Sequence, residues 1–426
     1  MQRGDKTQSI PERSPTRPEL IVPGIEVVDR PAYPVPPTDP PGAFSADTIG
    51  RVRRFHATFP QYEPTPLVRL DALAAELGVA GIWVKDESKR FELNSFKVLG
   101  GSYAIARYLA GELGIAEEEL SFDRLRTDEA RRILGTIEFV TATDGNHGRS
   151  VAWSARELGH RAVVFMPAGT ATSRIENIRG EGATVYVTDG NYDDTIRTAR
   201  AYAEQHGGVI VQDTAWDGYE DIPRWIMQGY AVVAHEAAEQ VAEAGVRRPT
   251  HAFLQAGVGS FAGGAAGFFA NNYGASRPQV DLVEPWEAAS YFASVAAGDG
   301  ERRLIGGDMP TMMVGLACGE PNIIAWPILR DHTDHAVRIT DEIGAAGIRA
   351  LAAPRGSDPA LVAGESAAGG LGILLAAYRD PDGERLRARL GFDSDSHILV
   401  VSTEGDTDPG HYRRLIDERL YPARWE

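Results

Sequence analysis

Short apolar segments alternate with longer amphipathic stretches along most of the chain after residue 55. In one stretch, Ile222, Trp225, Ile226, Tyr230 and Val233 recur at spacings of three and four and form one apolar helix face. The segments that read as strands are 81–84, 137–140, 162–165, 184–187, 209–211, 252–254, 280–283 and 398–401. Strands that alternate with helices predict an α/β fold with mainly parallel sheets flanked by helices.

Composition narrows the class of protein. The 426 residues carry a formal net charge of −17 and are 43% hydrophobic, as expected for a globular protein without a nucleic-acid or anionic-membrane partner. A single cysteine, Cys318, excludes a disulfide within the chain and suits the reducing cytoplasm. We expect no secretory signal in the first twenty residues and no membrane span. Residues 1–45 are rich in proline and charge, which predicts an extended or partly disordered arm.

Polar and glycine-rich segments follow several of the predicted strands. In open parallel sheets, ligands bind beyond the carboxyl ends of the strands. After the strand at 137–140 comes a loop that contains Asp144 and Asn146, which either cap the next helix or face a ligand. After the strand at 209–211 comes Asp213, which is either a loop acid or a proton donor or acceptor. The last strand ends at Ser402, whose hydroxyl suits a heterocyclic nitrogen or a local turn.

A glycine-rich loop, 255–264, follows the predicted strand at 252–254 and opens a helix. Its free N–H groups and the Ser260 hydroxyl suit a phosphate. The loop also resembles a dinucleotide fingerprint, with Glu284 where a ribose-binding acid would lie. Its third glycine is displaced, however, so an NAD-dependent dehydrogenase is a distant alternative. A tight helix–strand crossover without a ligand is the other interpretation of this loop.

Lys97 opens a predicted buried helix, 98–109, directly after Phe96. The start of a helix is electropositive, so this position favours a neutral and nucleophilic amine. A neutral amine is what a lysine needs to bond covalently to an aldehyde cofactor. A surface lysine beside a core helix is the common alternative for a single lysine, and the other segments decide against it.

Taken together in this order, these features resemble the fold type II pyridoxal-phosphate enzymes and, among them, the diaminopropionate ammonia-lyase family. The resemblance extends from about residue 55 to residue 412. It is carried by the segments YEPTPL at 62–67, KDESKRF at 85–91, FKVLGGSY at 96–103, TDGNHG at 143–148, QDTAWDGY at 212–219, GLACGEP at 315–321 and STEGDTD at 402–408. It implies a larger cofactor-binding domain of residues 46–98 and 218–426, a smaller α/β domain of residues 99–217, and an active site between them.

The resemblance also implies that pyridoxal 5'-phosphate is the cofactor, that no metal is needed, and that the protein is a homodimer. Lys97 would hold the cofactor covalently, Phe96 would pack against its ring, and Asn146 would bond its ring oxygen. Ser402 would meet the pyridine nitrogen, with Thr403 as the alternative one residue away. The remaining implied cofactor contacts are the phosphate-binding residues Gly257, Val258, Gly259, Ser260 and Phe261, and Glu365 at the ring edge.

The implied reaction is the α,β-elimination of 2,3-diaminopropionate, D or L, to pyruvate and ammonia. Lys97 would take the α-proton from the L-isomer and Asp144 from the D-isomer, while Lys97 or Asp213 would protonate the leaving amine. A serine or threonine dehydratase, or a β-replacement synthase of the same fold, is the nearer alternative. From its composition we also expect a loop near the site at 296–311.

Overall fold

The computed structural model describes residues 17–38, 41–190 and 192–426. Within these residues the strands are β1 Glu19–Val22, β2 Ile25–Asp29, β3 Leu67–Arg69, β4 Gly81–Asp86, β5 Glu138–Ala142, β6 Arg161–Met166, β7 Thr184–Val187, β8 Val209–Ile210, β9 His251–Gln255, β10 Gln279–Pro285, β11 His335–Ile339 and β12 His397–Ser402. Every strand predicted from the sequence is confirmed, and β1, β2, β3 and β11 are additional.

The α-helices flank these strands. In chain order they are α1 Ala46–His56, α2 Asp71–Leu77, α3 Lys97–Leu113, α4 Phe122–Leu125, α5 Asp128–Leu134, α6 Asn146–Glu157, α7 Thr172–Gly180, α8 Tyr192–His206, α9 Asp221–Glu243, α10 Ser260–Tyr273, α11 Ser290–Ala297, α12 Ala325–His332, α13 Asp341–Ala352, α14 Gly369–Arg379, α15 Gly383–Leu390 and α16 Pro409–Asp417. Among the described segments, no helix is both long and apolar enough to cross a bilayer.

The strands form two sheets. The larger has the order β1-β2-β11-β10-β9-β12-β4-β3, and its five central strands, from β11 to β4, are parallel. Its outer strands β1, β2 and β3 pair antiparallel. The smaller sheet, β7-β6-β5-β8, is parallel throughout. This arrangement confirms the predicted fold class, an α/β protein with two mainly parallel sheets.

The division of the chain follows from the two sheets. Residues 138–210 supply all four strands of the smaller sheet, and the segments before and after them supply the larger one. The domain boundaries at residues 98 and 217 stay a prediction. Within the predicted arm, β2 pairs with β11 and β1 pairs with β2, so that part of the segment extends the larger sheet.

Helices α3 and α9 pack closely beside the site. A Cβ atom on Gly229 would lie 2.2 Å from the Leu99 carbonyl oxygen, and one on Gly100 would lie 2.4 Å from the Tyr230 ring. Only glycine permits this approach of the two backbones. The contact fixes Lys97, at the start of α3, against the face of α9 that carries Tyr230.

A cluster of buried charges connects α9 with β4 and the segment after it. The Glu236 carboxylate lies 2.7 Å from Lys85 Nζ and 2.7 Å from Arg90 Nη2, and Arg90 Nε lies 2.9 Å from Glu87. All four side chains are fully buried. Each charge therefore depends on its partners, since an unpaired buried charge is strongly unfavourable.

Candidate active site

A cavity of about 320 Å³ lies where the carboxyl ends of strands from both sheets meet. Its walls include the segments after β5, β6 and β8 of the smaller sheet and those after β9 and β12 of the larger one. Parallel α/β sheets bind their ligands at this edge. Of the predicted site residues, it brings together Phe96, Lys97, Asp144, Asn146, Asp213, Gly257, Val258, Gly259, Ser260 and Phe261.

Lys97 is the first residue of α3, and its side chain is 21% exposed to the cavity. Its ammonium Nζ lies 2.6 Å from Oδ2 of Asp213. Burial disfavours the charged form, but the Asp213 carboxylate and Tyr230 raise the pKa of Lys97 well above its usual value. The expectation that the helix start leaves this amine neutral is therefore wrong for the ligand-free chain, because a carboxylate lies within hydrogen-bonding distance.

Asp213 is almost completely buried and follows β8. Its backbone carbonyl accepts a hydrogen bond from the Ser260 hydroxyl, and the Tyr230 hydroxyl lies 3.5 Å from Oδ2. Burial alone would raise the pKa of Asp213, but the Lys97 ammonium outweighs burial and lowers it. The ligand-free site therefore holds an ion pair between a primary amine and an acid.

Asp144 and Asn146 lie in the loop that opens α6. The Thr143 hydroxyl accepts hydrogen bonds from the N–H groups of Gly145, at 2.9 Å, and Gly148, at 3.0 Å, and so fixes the loop. The Asn146 amide donates to the Glu404 carboxylate across the cleft between the sheets. Burial raises the pKa of Asp144, and the Arg174 guanidinium partly opposes this shift. Asp144 is thus a half-buried carboxyl with raised basicity at the cavity wall.

The glycine-rich loop turns between β9 and the N-terminus of α10. Gly259 has φ +88°, and a Cβ atom there would lie 2.0 Å from the Tyr291 hydroxyl oxygen. The first turn of α10 contains no acidic residue, so its free N–H groups face the cavity without a competing anion. The Ser260 hydroxyl is already bonded to Asp213 and Asn322. The cradle therefore offers backbone N–H groups to a phosphate.

Two of the predicted cofactor contacts, Ser402 and Glu365, do not line this cavity. Ser402, the last residue of β12, is fully buried, and its hydroxyl lies 3.5 Å from the Glu404 carbonyl oxygen. The next two residues, Thr403 and Glu404, lie beyond the end of β12 and line the cavity. The structure thus brings Thr403, the alternative one residue away, to the cavity in place of Ser402.

Glu365 lies in an adjoining cavity of about 580 Å³. It forms a salt bridge with Arg174, whose Nη1 also donates to the Asp144 carbonyl at 3.2 Å. Burial and the nearby Glu404 raise the pKa of Glu365 to about 7. Glu365 therefore does not line the cavity that brings the other predicted cofactor contacts together. Instead, Glu365 pairs with a residue that supports the Asp144 loop.

The geometry also contradicts the dinucleotide interpretation. Glu284 is fully buried, and its two oxygens accept hydrogen bonds from the N–H groups of Tyr291, at 2.9 Å, and Phe292, at 2.6 Å. Burial raises its pKa to about 8. Because Glu284 caps the start of α11, is fully buried and does not line the cavity, it is not available to a ribose, and the NAD-dependent alternative is wrong.

His147 and Glu404 line the cavity but had no role in the sequence predictions. The same is true of Tyr230, which is fully buried behind the cavity, with its hydroxyl 3.5 Å from Asp213 Oδ2. His147 and Glu404 lie within the TDGNHG and STEGDTD segments, so the sequence contained a signal of their position. Tyr230 lies on the predicted apolar face of α9, where an aromatic residue reads as core. Of the expected loop at 296–311, residues 307–309 line the cavity that contains Lys97, and residues 310 and 311 line the adjoining cavity that contains Glu365.

The donor set fits an aldehyde cofactor that carries a phosphate. Lys97 supplies a primary amine to the cavity wall, and the glycine-rich loop forms another part of the wall. A Cβ atom on Gly259 of this loop would overlap Tyr291. Amide and hydroxyl groups of Asn146 and Thr403 supply uncharged contacts to the same cavity. Among the described residues, no cluster of three or more metal-ligating side chains is present.

Comparisons with known proteins agree with this fit. The family model described as pyridoxal-phosphate dependent enzyme matches residues 58–404. A curated relative, the diaminopropionate ammonia-lyase of Salmonella typhimurium, is 49% identical over 86% of this chain and 91% of its own length.

Solved structures are similar over nearly the whole chain. The crystal structure of diaminopropionate ammonia lyase from Escherichia coli in complex with D-serine has a TM-score of 0.87 and 44% identity, and the match covers 96% of this chain and 99% of that chain. The same Escherichia coli enzyme in complex with an aminoacrylate-PLP azomethine reaction intermediate has a TM-score of 0.85 and 43% identity, over 96% of this chain and 100% of that chain.

Proposed function

We propose that this chain, which belongs to the diaminopropionate ammonia-lyase family of pyridoxal-phosphate dependent enzymes, eliminates ammonia from 2,3-diaminopropionate to give pyruvate and a second ammonia. The observation that carries the proposal is the placement of Lys97 Nζ at 2.6 Å from Asp213 in a cavity that the glycine cradle also lines. This arrangement supports a site in which a primary amine, an acid and an anion site would surround one small substrate.

Bound pyridoxal phosphate supplies an aldehyde that bonds to an amine and a ring that withdraws electrons from the α-carbon of an amino acid. Lys97 would hold it covalently, and the N–H groups at the start of α10 would hold its phosphate. Asn146 would meet the ring oxygen, and Phe96 would pack on the ring. Thr403, which lines the cavity, would meet the pyridine nitrogen in place of Ser402. A neutral hydroxyl there leaves the ring a weaker electron acceptor, which favours elimination over transamination.

The site residues divide the proton transfers between them. As a neutral amine, Lys97 Nζ would take the α-proton of the L-isomer. Asp144 lines the cavity separately from Lys97, and its raised pKa suits it to take the α-proton of the D-isomer. The Asp213 carboxyl, in contact with Lys97, would pass a proton to the leaving β-nitrogen.

Substrate choice follows from the charges. Asp144, Asp213, Asp308 and Glu404 line the cavity, and Lys97 is the only lysine or arginine among the described residues that line it. The remaining negative charge attracts the second ammonium group of diaminopropionate, which serine and threonine lack. This argument favours diaminopropionate over the dehydratase and β-replacement alternatives.

The experiment is a spectrum followed by a turnover assay. The purified protein should bind pyridoxal phosphate with a visible absorbance band that changes when diaminopropionate is added, and pyruvate should form. Lys97→Ala should lose both the band and turnover, while Lys89→Ala, an exchange outside the cavity wall, serves as the matched control. Faster pyruvate release from serine than from diaminopropionate would assign the chain to the dehydratases. Normal turnover by Lys97→Ala would reject the mechanism.

We further propose a cytoplasmic homodimer, which rests on the family resemblance and on the single cysteine in 426 residues. Sedimentation equilibrium should give twice the mass of the chain, and the activity should fractionate with cytoplasmic proteins. A monomeric active enzyme, or activity in another fraction, would contradict the respective part.

A further inference from the structure

His147 lies in the cavity wall, yet the proposed proton transfers give it no part. It is the second residue of α6, and its side chain is 4% exposed. Its Nε2 lies 2.9 Å from the carbonyl oxygen of Val211. A carbonyl only accepts hydrogen bonds, so Nε2 carries the ring hydrogen and the neutral ring presents a lone pair at Nδ1.

No described residue forms a hydrogen bond with Nδ1 of His147. Oδ2 of Asp213 lies 3.9 Å from this nitrogen. Buried polar atoms are nearly always paired, and here two acceptors face each other across a short gap. A proton on Nδ1 would turn this arrangement into an attractive pair, because the imidazolium would face a carboxylate.

The same Asp213 oxygen is shared with Lys97, whose Nζ is 2.6 Å away. Burial and the Lys97 ammonium hold the pKa of His147 down, while Asp213 and Asp144 raise it. These three groups, on α3 and in the loops after β5 and β8, are the charges that face the ring. When Lys97 loses its proton, its charge no longer lowers the pKa of His147, and Asp213 no longer faces a cation.

We propose that His147 is a positioning residue that holds, at Nδ1, the proton that Lys97 releases, and returns it through Asp213. The N–H bond at Lys97 Nζ breaks and an N–H bond at His147 Nδ1 forms, with Asp213 Oδ2 as the carrier between them. One proton moves and no electrons are exchanged. Asp213 thus stays beside a cation in both states of Lys97. The inference rests on the proposed function, which requires Lys97 to act as a neutral base.

Titration of the histidine rings by NMR tests the inference on the full chain without cofactor. Lys97→Met removes the ammonium and preserves most of the side-chain volume, and Lys97→Ala is the second variant should the first not fold. We expect the titration midpoint of His147 to rise in either variant and to fall again when Asp213→Asn is added. His160, a half-buried histidine whose Nδ1 accepts from the Ile137 N–H at 3.2 Å, is the internal control and should not move. An unchanged His147 midpoint overturns the proposal.

The kinetic arm uses the holoenzyme with diaminopropionate. His147→Gln can still donate a hydrogen bond to Val211 but cannot take up a proton. It should lower kcat about tenfold or more and change its pH profile, with little change in KM and in the cofactor absorbance. An unchanged kcat profile overturns the proposal. If wild type gives no turnover, the proposed function fails by itself, whereas the titration of His147 still decides whether the ring responds to Lys97.

Discussion

Replacing Asp144 by asparagine tests the assignment of one base to each isomer of the substrate. The exchange keeps the size of the side chain and removes its ability to take up a proton. The Asp144 loop should keep its position, since Arg174 contacts the backbone carbonyl at 3.2 Å and Thr143 holds the neighbouring N–H groups. The perturbation is therefore confined to one carboxylate in the cavity wall.

The size of the effect follows from the role. A positioned general base contributes about 10²–10⁴-fold to the rate, or about 2.7–5.5 kcal/mol of activation free energy. The D-isomer should lose kcat/KM by that factor. The L-isomer, whose proton goes to Lys97, loses only the attraction between its β-ammonium and a half-buried carboxylate, about tenfold or less. The D-to-L ratio should therefore fall about tenfold to ten-thousandfold.

The assay measures pyruvate release from the separate D- and L-isomers with the same preparation of enzyme. Differences in cofactor content or in the folded fraction therefore cancel in the D-to-L ratio of kcat/KM. Asp308→Asn is the matched control, because Asp308 lines the same cavity but is exposed and lies in the segment before α12. Its D-to-L ratio should stay near that of the wild type. Equal losses for both isomers in Asp144→Asn would refute the assignment of Asp144 as the base for the D-isomer.

Three further exchanges test the energetics around the site. Arg174→Gln should move the acid limb of the D-isomer profile to higher pH, since Arg174 lowers the pKa of Asp144; an unshifted limb in a pH–rate profile contradicts this. Glu236→Gln should cost about 3–5 kcal/mol in urea denaturation because two buried cations lose their shared carboxylate, and a loss below 1 kcal/mol would speak against the cluster. Gly259→Ala should prevent the cofactor absorbance band, because its Cβ atom would overlap Tyr291. Normal binding of pyridoxal phosphate by this variant would contradict the assignment of the glycine-rich loop as the phosphate site.

The sequence predicted the fold where its signals are local. Central strands such as Ala252–Leu254 are short and apolar on both faces, and parallel sheets cover both faces with helices. Strand β3 has three residues, and β1 and β2 lie in a proline-rich stretch, so their pairing depends on a sheet edge that the local sequence does not encode. Strand β11, HAVRI, alternates with charged and polar residues and gave too weak a signal.

The site shows the same division. Lys97, Asp144 and the glycine loop, which the sequence predicted as site residues, line one cavity, and each lies at a helix start or strand end with a recognisable composition. The sequence did not distinguish Ser402 from Thr403, because one residue along a strand reverses the direction of the side chain. The pairing of Glu365 with Arg174 joins residues 191 positions apart, and so only the tertiary structure reveals it.

The residues that line the cavity around Lys97 differ in how tightly the fold constrains them. Lys97, Asp213 and the glycine cradle are fixed by helix starts, strand ends and glycine contacts that allow almost no exchange. Residues 307–309 and 314–318 belong to a connecting segment between α11 and α12 with no long helix or strand. New substrate ranges should therefore evolve, or be engineered, through this segment, where side chains of different size alter the shape of the cavity and leave the chemistry intact.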